Sequence, residues 1–141
     1  MSKQSFSWDD IKPKVENVAL AKLAPYKNNP RRNKQAIPVV KNSIKRYGFL
    51  VPIVINNNTD CEIAAGHTRL AAMLELCKDE GLDPASIKVP CILAEHLTAA
   101  QIRQFRIIDN QAASLSGWDW DKLNDEFEDL QDVDWGDFGF P

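Results

Sequence analysis

The sequence contains few of the residues that mark disulfide-rich, zinc-binding or membrane-spanning proteins. Its 141 residues include only three cysteines, at positions 61, 77 and 91, and two histidines. The cysteines form no Cys-x-x-Cys pair, which argues against a zinc site, and dispersed thiols are typical of a reduced cytoplasmic protein. No apolar run approaches the roughly 20 residues of a membrane span, and the polar, acidic start differs from a secretory signal. We therefore expect a cytoplasmic protein with no membrane partner.

Acidic residues are missing from a long part of the chain, between Asn17 and Thr59. Residues 1–60 hold eleven Lys and Arg against four Asp and Glu, whereas residues 61–141 hold six against sixteen. This asymmetry predicts a basic surface for an anionic partner, nucleotide or DNA, and an acidic C-terminal region. The alternative is that the charges only solvate two faces of the protein.

The hydrophobic pattern predicts one α/β domain with a small mixed sheet and three or four helices. Strands are predicted within 15–23, 51–55, 61–65 and 87–93, and the middle two are predicted to form a hairpin. Helices are predicted at 36–47, from about 68 to 80, from 99 onward and in the acidic segment after 118. We divide the chain into an irregular arm (1–14), the domain (15–115) and an acidic aromatic extension (116–141) that packs back on it.

Two details of this pattern carry further expectations. Pro90 interrupts a strand pattern, which favours an edge strand or a bulge. Thr98-Ala99-Ala100-Gln101 has the form of a capping box that opens a helix. That helix is predicted to bury one stripe and to expose a second, polar stripe at helical spacing. The buried stripe is Ile102, Phe105, Ile108 and Ala112, and the polar stripe is Arg103, Arg106 and Asn110.

The segment "IAAGHTRLAAM" (63–73) places a glycine between an apolar run and a helix. The start of a helix offers unpaired N–H groups and the positive end of the helix dipole. Gly66 would let an anion approach the backbone closely, and Arg69 adds a forked cationic donor suited to phosphate. Thr68 is expected to cap the helix or to meet a phosphate oxygen. The segment therefore predicts either a phosphate site or a purely structural strand-to-helix corner.

Four blocks of the chain resemble the ParB/sulfiredoxin-like superfamily, in particular the small ParB-like domains, often labelled "ParB-like nuclease domain", of phages and mobile elements. The blocks are "NNPRRN", "SIKRYGFLVPIVI", "IAAGHTRLAA" and "RIIDNQAASLSGWD". The resemblance runs from about Val18 to Phe140 and implies the compact fold of that superfamily. His67 and Thr68 stand where partition-type ParB has Glu and Arg, and residues 66–69 lack the cysteine of sulfiredoxin.

The resemblance implies a nucleoside triphosphate, ATP or CTP, bound with Mg²⁺. Residues implied to contact phosphate or nucleotide are Gly66, His67, Thr68, Arg69, Asn29, Pro30, Arg31 and Asn110. Residues implied to border the base are Gly48, Phe49, Leu50 and Pro52. Asp109 and Asn110 are implied as metal ligands, with Asp109 also catalytic. His67 is a candidate general acid or base, or a spacer that hydrogen-bonds phosphate.

Three functions remain open from the sequence. The first is an enzyme of phage or mobile-element DNA metabolism, a metal-dependent nucleotide hydrolase or nuclease. The second is a regulatory module without turnover that partners a DNA methyltransferase or another DNA-modifying enzyme. The third is a small-molecule kinase acting on a free amino acid, which is disfavoured because the first loop lacks a carboxylate. DNA contact through the basic half and a homodimer are compatible with the first two.

Overall fold

Four strands of the computed structural model, which describes residues 7–56 and 61–141, form one mixed sheet. The strands are β1 (Lys14–Ala19), β2 (Ile53–Asn56), β3 (Glu62–Ala65) and β4 (Lys88–Leu93). Their order in the sheet is β1-β4-β2-β3. The β2–β3 hairpin is antiparallel, as predicted, β1 and β4 are antiparallel, and β2 and β4 are parallel. The mixed α/β fold class is confirmed.

The helices lie between and after these strands. In the described part of the chain they are α1 (Trp8–Ile11), α2 (Ile37–Tyr47), α3 (His67–Glu80), α4 (Ala99–Leu115) and α5 (Trp120–Asp129). Three 3-10 turns are also present, at Leu20–Lys22, Pro84–Ser86 and Trp135–Phe138. α1 is a single turn within the arm that was predicted to be irregular, and residues 1–6 of that arm lie outside the described residues. The capping box at the start of α4 is confirmed, because both of its hydrogen bonds form.

The hydrophobic core lies between the sheet and α3. Ile53, Ile55 and Ile63 are fully buried on β2 and β3, and Leu70 and Cys77 face them from α3. Burying such a side chain contributes about 1.5–3 kcal/mol, so this cluster fixes α3 against the hairpin. α4 packs against β3 through a second, smaller cluster that includes Ala64 and Ile102. Both α3 and α4 therefore pack against residues of β3, the strand that ends at Ala65.

Two predicted strand features differ from the structure. β1 ends at Ala19 rather than continuing to residue 23, because the chain turns into a 3-10 helix whose first N–H, of Leu20, donates to the Ile87 carbonyl. Pro90 lies on β4, which is an interior strand rather than an edge. β2 begins its pairing with β4 only at Cys91. At Pro90 the one neighbouring strand is therefore β1, where Asn17 lies opposite the proline. A proline is tolerated there for the same reason as at an edge.

The predicted burial of α4 is wrong in part. Ile102 is buried and Phe105 half-buried, but Ile108 is 66% exposed and Ala112 is exposed. Arg106, predicted to be on the polar stripe, is buried. After Arg106 the residues of α4 are exposed apart from the half-buried Asn110, and the buried face is the one that carries Ile102 and Arg106.

Residues 118–140 return to α2. Phe138 contacts the ring of Tyr47, the Asn42 side-chain amide donates to the Asp137 carbonyl at 2.7 Å, and Arg46 donates to the Asp132 carbonyl at 3.2 Å. Four aromatic rings pack on each other within this segment: Trp118, Phe127, Trp135 and Phe140. The three-part division of the chain stays a prediction.

Across residues 7–56 and 61–141, no helix has both the length and the apolar character needed to cross a bilayer.

Candidate functional site

A cleft of about 360 Å³ opens where the loop before α2, the end of β3, the first turn of α3 and the middle of α4 meet. We call it the α3 cleft. Its lining residues are Asn29, Arg31, Arg32, Asn33, Ala36, Val40, Ala64, Ala65, Gly66, His67, Thr68, Arg69, Asp109, Asn110 and Ala113. Three of these side chains are guanidinium groups and one is a carboxylate, so the lining carries a net positive charge.

Gly66 sets the geometry at the head of α3. It is the N-cap residue with φ 107° and ψ 23°, a left-handed conformation that favours glycine. A Cβ at this position would lie 3.0 Å from Ile53 Cγ1 and 3.3 Å from Ile53 Cα. The site therefore needs glycine both for its backbone angle and for its close contact with β2.

The first turn of α3 has no side-chain cap, so of the two roles expected for Thr68 the capping role is wrong, and contact with a phosphate oxygen stays a prediction. The first intrahelical bond runs from the Leu70 N–H to the Gly66 carbonyl at 3.1 Å. The N–H groups of His67, Thr68 and Arg69 consequently have no carbonyl partner within the helix. These amides, together with the helix dipole, form an electropositive wall of the α3 cleft.

Two arginines from different elements add charge to this wall. Burial lowers the pKa of half-buried Arg69, and the nearby carboxylate of Asp109 opposes that shift. Arg31 Nη1 is held against α4, donating to the Asn110 carbonyl at 3.0 Å and to Ser114 Oγ at 3.3 Å. A guanidinium binds phosphate bidentately, so this pair suits an anionic ligand.

His67 lies at the edge of the cleft with one ring nitrogen already in use. The Tyr26 backbone N–H donates to His67 Nε2 at 3.0 Å. Burial, helped by the charge of Arg106, lowers the pKa of His67 to about 4. The imidazole is therefore neutral at neutral pH, and its Nε2 lone pair is committed to the backbone. This arrangement suits a positioning role better than proton transfer.

The predicted metal ligands, Asp109 and Asn110, are consecutive residues of α4. Asn110 Nδ2 donates to the Arg106 carbonyl at 2.9 Å, and its Oδ1 faces Arg31 Nη1 at 3.5 Å. The Asn110 amide therefore has protein contacts at both ends, but its Oδ1 keeps a lone pair for another partner. The described residues contain no group of three or more His, Cys, Asp or Glu that could hold a metal ion. Mg²⁺ needs only one or two protein ligands when phosphates complete its shell, so a site that includes Asp109 fits it, and the metal roles of Asp109 and Asn110 both stay predictions.

Most of the predicted phosphate residues meet in the α3 cleft, whereas the predicted base-bordering residues do not line it. Pro30 lines an adjoining cleft of about 320 Å³. The α3 cleft itself is lined by Gly66, His67, Thr68, Arg69, Asn29, Arg31, Asp109 and Asn110. Gly48 ends α2, Phe49 packs on the core, and Leu50 and Pro52 lie in the connection to β2. The binding roles of all these residues stay predictions.

Sequence reasoning missed several residues around the cleft. The side chains of Arg32 and Asn33 line it and could have been found, since they continue the "NNPRRN" block. Ala36 and Val40 line it from the start of α2, and no signal in the sequence indicates this. The buried Arg106 behind His67 was missed because an arginine at helical spacing with other polar residues is usually solvated.

Comparisons with known proteins place the chain in a family. A family model of the ParB N-terminal domain matches residues 7–111. The chain belongs to this family. This confirms the resemblance drawn from the four sequence blocks, and the ParB-like chain carries the family's fold.

Two solved structures are similar to this chain to different degrees. The C-terminally truncated chromosome-partitioning protein ParB from Caulobacter crescentus, solved in complex with CTP-γ-S, is similar with a TM-score of 0.62 and 22% identity, covering 91% of this chain and 72% of that chain. A Pnob8-like ParB-N domain is similar with a TM-score of 0.49 and 17% identity, covering 67% of this chain and 34% of that chain. No curated protein matches the sequence. At 22% identity the likeness to the Caulobacter crescentus protein shows the fold alone.

Proposed function

We propose that the α3 cleft binds the triphosphate of a nucleotide and that this ParB-like domain acts as a nucleotide-binding module. The observation that carries the proposal is the uncapped first turn of α3, where Gly66 exposes successive backbone amides to a cleft that Arg69 also lines. Backbone amides at a helix start and a guanidinium are the donors that proteins use for phosphate.

The charge balance of the cleft supports a ligand with several negative charges. Arg31 and Arg32 reach it from the loop before α2 and Arg69 from α3, whereas Asp109 is the one carboxylate among the lining residues. Guanidinium groups from two elements and the helix amides together offer donors for more than one phosphate group. A triphosphate would use all of these donors, and Asp109 would share a Mg²⁺ with its oxygens.

CTP is the first nucleotide to test, because the Caulobacter crescentus ParB of the same fold was solved with CTP-γ-S. At 22% identity the base preference does not transfer, so ATP, GTP and UTP belong in the same experiment.

Binding without turnover is the form of this function that the geometry favours. His67 is neutral, and its Nε2 accepts from Tyr26, so it is not poised to activate water. A regulatory module that changes its contacts when a nucleotide binds needs only the cleft and its cations. Turnover would instead require Asp109 to act together with a metal ion, bound with the nucleotide, and with a water molecule from the solvent.

The experiment is isothermal titration calorimetry of the full chain with each of the four ribonucleoside triphosphates, with and without Mg²⁺. We expect at least one triphosphate to bind and Arg69→Ala to weaken it about 10–150-fold, the equivalent of the about 1.5–3 kcal/mol of a charge-assisted hydrogen bond. Arg103→Ala is the matched control, since Arg103 is exposed on α4 and does not line the cleft.

Equal binding by wild type and Arg69→Ala, or no binding of any triphosphate by a folded wild type, would contradict the proposal. Steady release of phosphate from the bound nucleotide would show that the protein is an enzyme rather than a binding module without turnover.

A further inference from the structure

Arg106 is a buried cation directly behind the α3 cleft. It is 1% exposed, and its Nη2 donates to the Ile63 carbonyl at 2.7 Å. Its one carboxylate neighbour among the described residues is Glu62, at a loose 3.8 Å. Within the described part of the chain, its Nε and Nη1 are buried without a hydrogen-bond partner. Burial lowers the pKa of Arg106, which reflects the cost of holding this charge away from water.

The guanidinium instead lies over an aromatic ring. Arg106 Cζ is 3.7 Å from the centroid of the Tyr26 ring, well within the roughly 6 Å range of a cation–π contact. Tyr26 is also held through its backbone, since its N–H donates to His67 Nε2 at 3.0 Å. One loop residue is therefore fixed from two sides, by α4 through its ring and by the first turn of α3 through its main chain.

The loop that Tyr26 belongs to supplies ligand-facing residues of the cleft. The Asn29 N–H donates to the Tyr26 carbonyl at 3.2 Å, closing a turn that leads directly to Arg31. Arg31 then returns to α4 at Asn110, and the Asn110 side chain donates to the Arg106 carbonyl at 2.9 Å. The loop from Tyr26 to Arg31 is thus attached at both ends to the stretch of α4 from Arg106 to Asn110.

The stability of the fold is a weak explanation for burying an arginine at position 106. Apolar replacement of a buried charge is often neutral or stabilising, because the desolvation cost disappears. Two partnerless nitrogens raise that cost further. A methionine of similar length would fill the space and still pack on Tyr26, but it would not hold the ring by charge.

We propose that Arg106 is a positioning residue for the α3 cleft, holding Tyr26 so that Asn29 and Arg31 face the ligand. The part of the inference that concerns ligand affinity rests on the proposed function. The part that concerns the order of the loop stands without it.

The test compares Arg106→Met with Arg103→Met, which makes the same change at an exposed position of the same helix. Three quantities are measured on the full chain: the melting temperature, the amide hydrogen exchange of residues 26–31, and the affinity for CTP or whichever triphosphate the wild type binds. We expect Arg106→Met to melt within a few degrees of wild type. We also expect its loop to exchange at least tenfold faster and its affinity to fall about 10–100-fold, the range seen when groups that orient metal ligands are removed.

Arg106→Lys separates charge from packing. It keeps a cation near Tyr26, so we expect it to restore part of the loop protection and part of the affinity that Arg106→Met loses. If Arg106 were purely structural, the melting temperature and the affinity would fall together, and hydrogen exchange would not increase selectively in residues 26–31.

Unchanged exchange of residues 26–31 in Arg106→Met would overturn the inference, whatever the affinity. Should that variant unfold, Tyr26→Leu decides by the same exchange and affinity measurements, because it removes the ring and leaves the arginine in place. If the folded wild type binds no triphosphate, the proposed function fails, while the exchange data still test the positioning of the loop.

Discussion

Replacing Gly66 with alanine tests the claim that the head of α3 is built around a glycine. The residue has φ 107°, and the new Cβ would lie 3.0 Å from Ile53 Cγ1 and 3.3 Å from the Ile53 backbone. Ile53 is fully buried in the core, so it has little room to move away. The substitution therefore combines backbone strain with crowding.

Each effect has an approximate size. A left-handed conformation costs a non-glycine residue about 1–2 kcal/mol, and one extra carbon forced into a packed core costs about 1–3 kcal/mol. We expect Gly66→Ala to lower the free energy of unfolding by about 2–5 kcal/mol. Since native domains are stable by only about 5–15 kcal/mol, this is a large part of the total.

The assay is urea unfolding followed by circular dichroism, with two matched controls. Gly81 caps the other end of α3 at φ 67°, and a Cβ added there would meet no atom within 4 Å, so Gly81→Ala measures the backbone strain without the crowding. Gly117 has neither feature, and Gly117→Ala is expected to be neutral or to stabilise by up to about 1 kcal/mol. If Gly66→Ala lowers the free energy of unfolding by no more than Gly81→Ala does, the crowding against Ile53 is refuted. A loss below about 0.5 kcal/mol would refute the strained backbone as well.

Two further predictions concern His67 and the face of α4. The pKa of His67 in the folded protein, about 4, lies below the 6.5 of the free side chain, so the unfolded chain binds the proton more readily between those values. Stability is therefore complete above about pH 6.5 and falls as the pH drops toward 4, by about 1–2 kcal/mol after allowance for solvent screening of a half-exposed ring. Urea unfolding at several pH values checks this, and a His67→Gln variant with the same pH dependence would contradict it. On α4, Ile102→Ala is expected to cost about 2–5 kcal/mol because the side chain is buried. Ile108→Ala is expected to cost less than about 0.5 kcal/mol, and the reverse order in thermal unfolding would show that the helix faces the sheet differently.

The sequence predicted the parts of the fold that depend on local pattern. The β2–β3 hairpin follows from two apolar runs around a polar turn, and the capping box of α4 follows from Thr98 and Gln101 alone. A strand-to-helix corner at Gly66 was also predicted from the pattern, although the left-handed backbone of Gly66 was not. The phosphate residues proposed from the family resemblance are largely brought together in one cleft.

Features that depend on tertiary contacts were not predictable in the same way. Helical spacing placed Arg106 on a polar stripe, but its partners are the Tyr26 ring and the Ile63 carbonyl, which no periodicity links to it. Ile108 was expected in the core because it is apolar and at helical spacing from Ile102 and Phe105, yet it is exposed like most residues of α4 after Arg106. For Arg106 the structure is decided by where a distant element lies. One of the two roles expected for Thr68, capping α3, fails for a local reason, because Gly66 is the N-cap residue.

The central claim is that the amides and arginines around the head of α3 bind nucleotide phosphates. The most direct measurement is an amide chemical-shift titration of the ¹⁵N-labelled full chain with CTP and Mg²⁺, repeated with the other three ribonucleoside triphosphates. The account predicts that the largest shifts fall on residues 66–69, with further shifts at Asn29 and Arg31, and that Arg103 is unaffected. Saturable binding of a triphosphate that leaves residues 66–69 unshifted would contradict it.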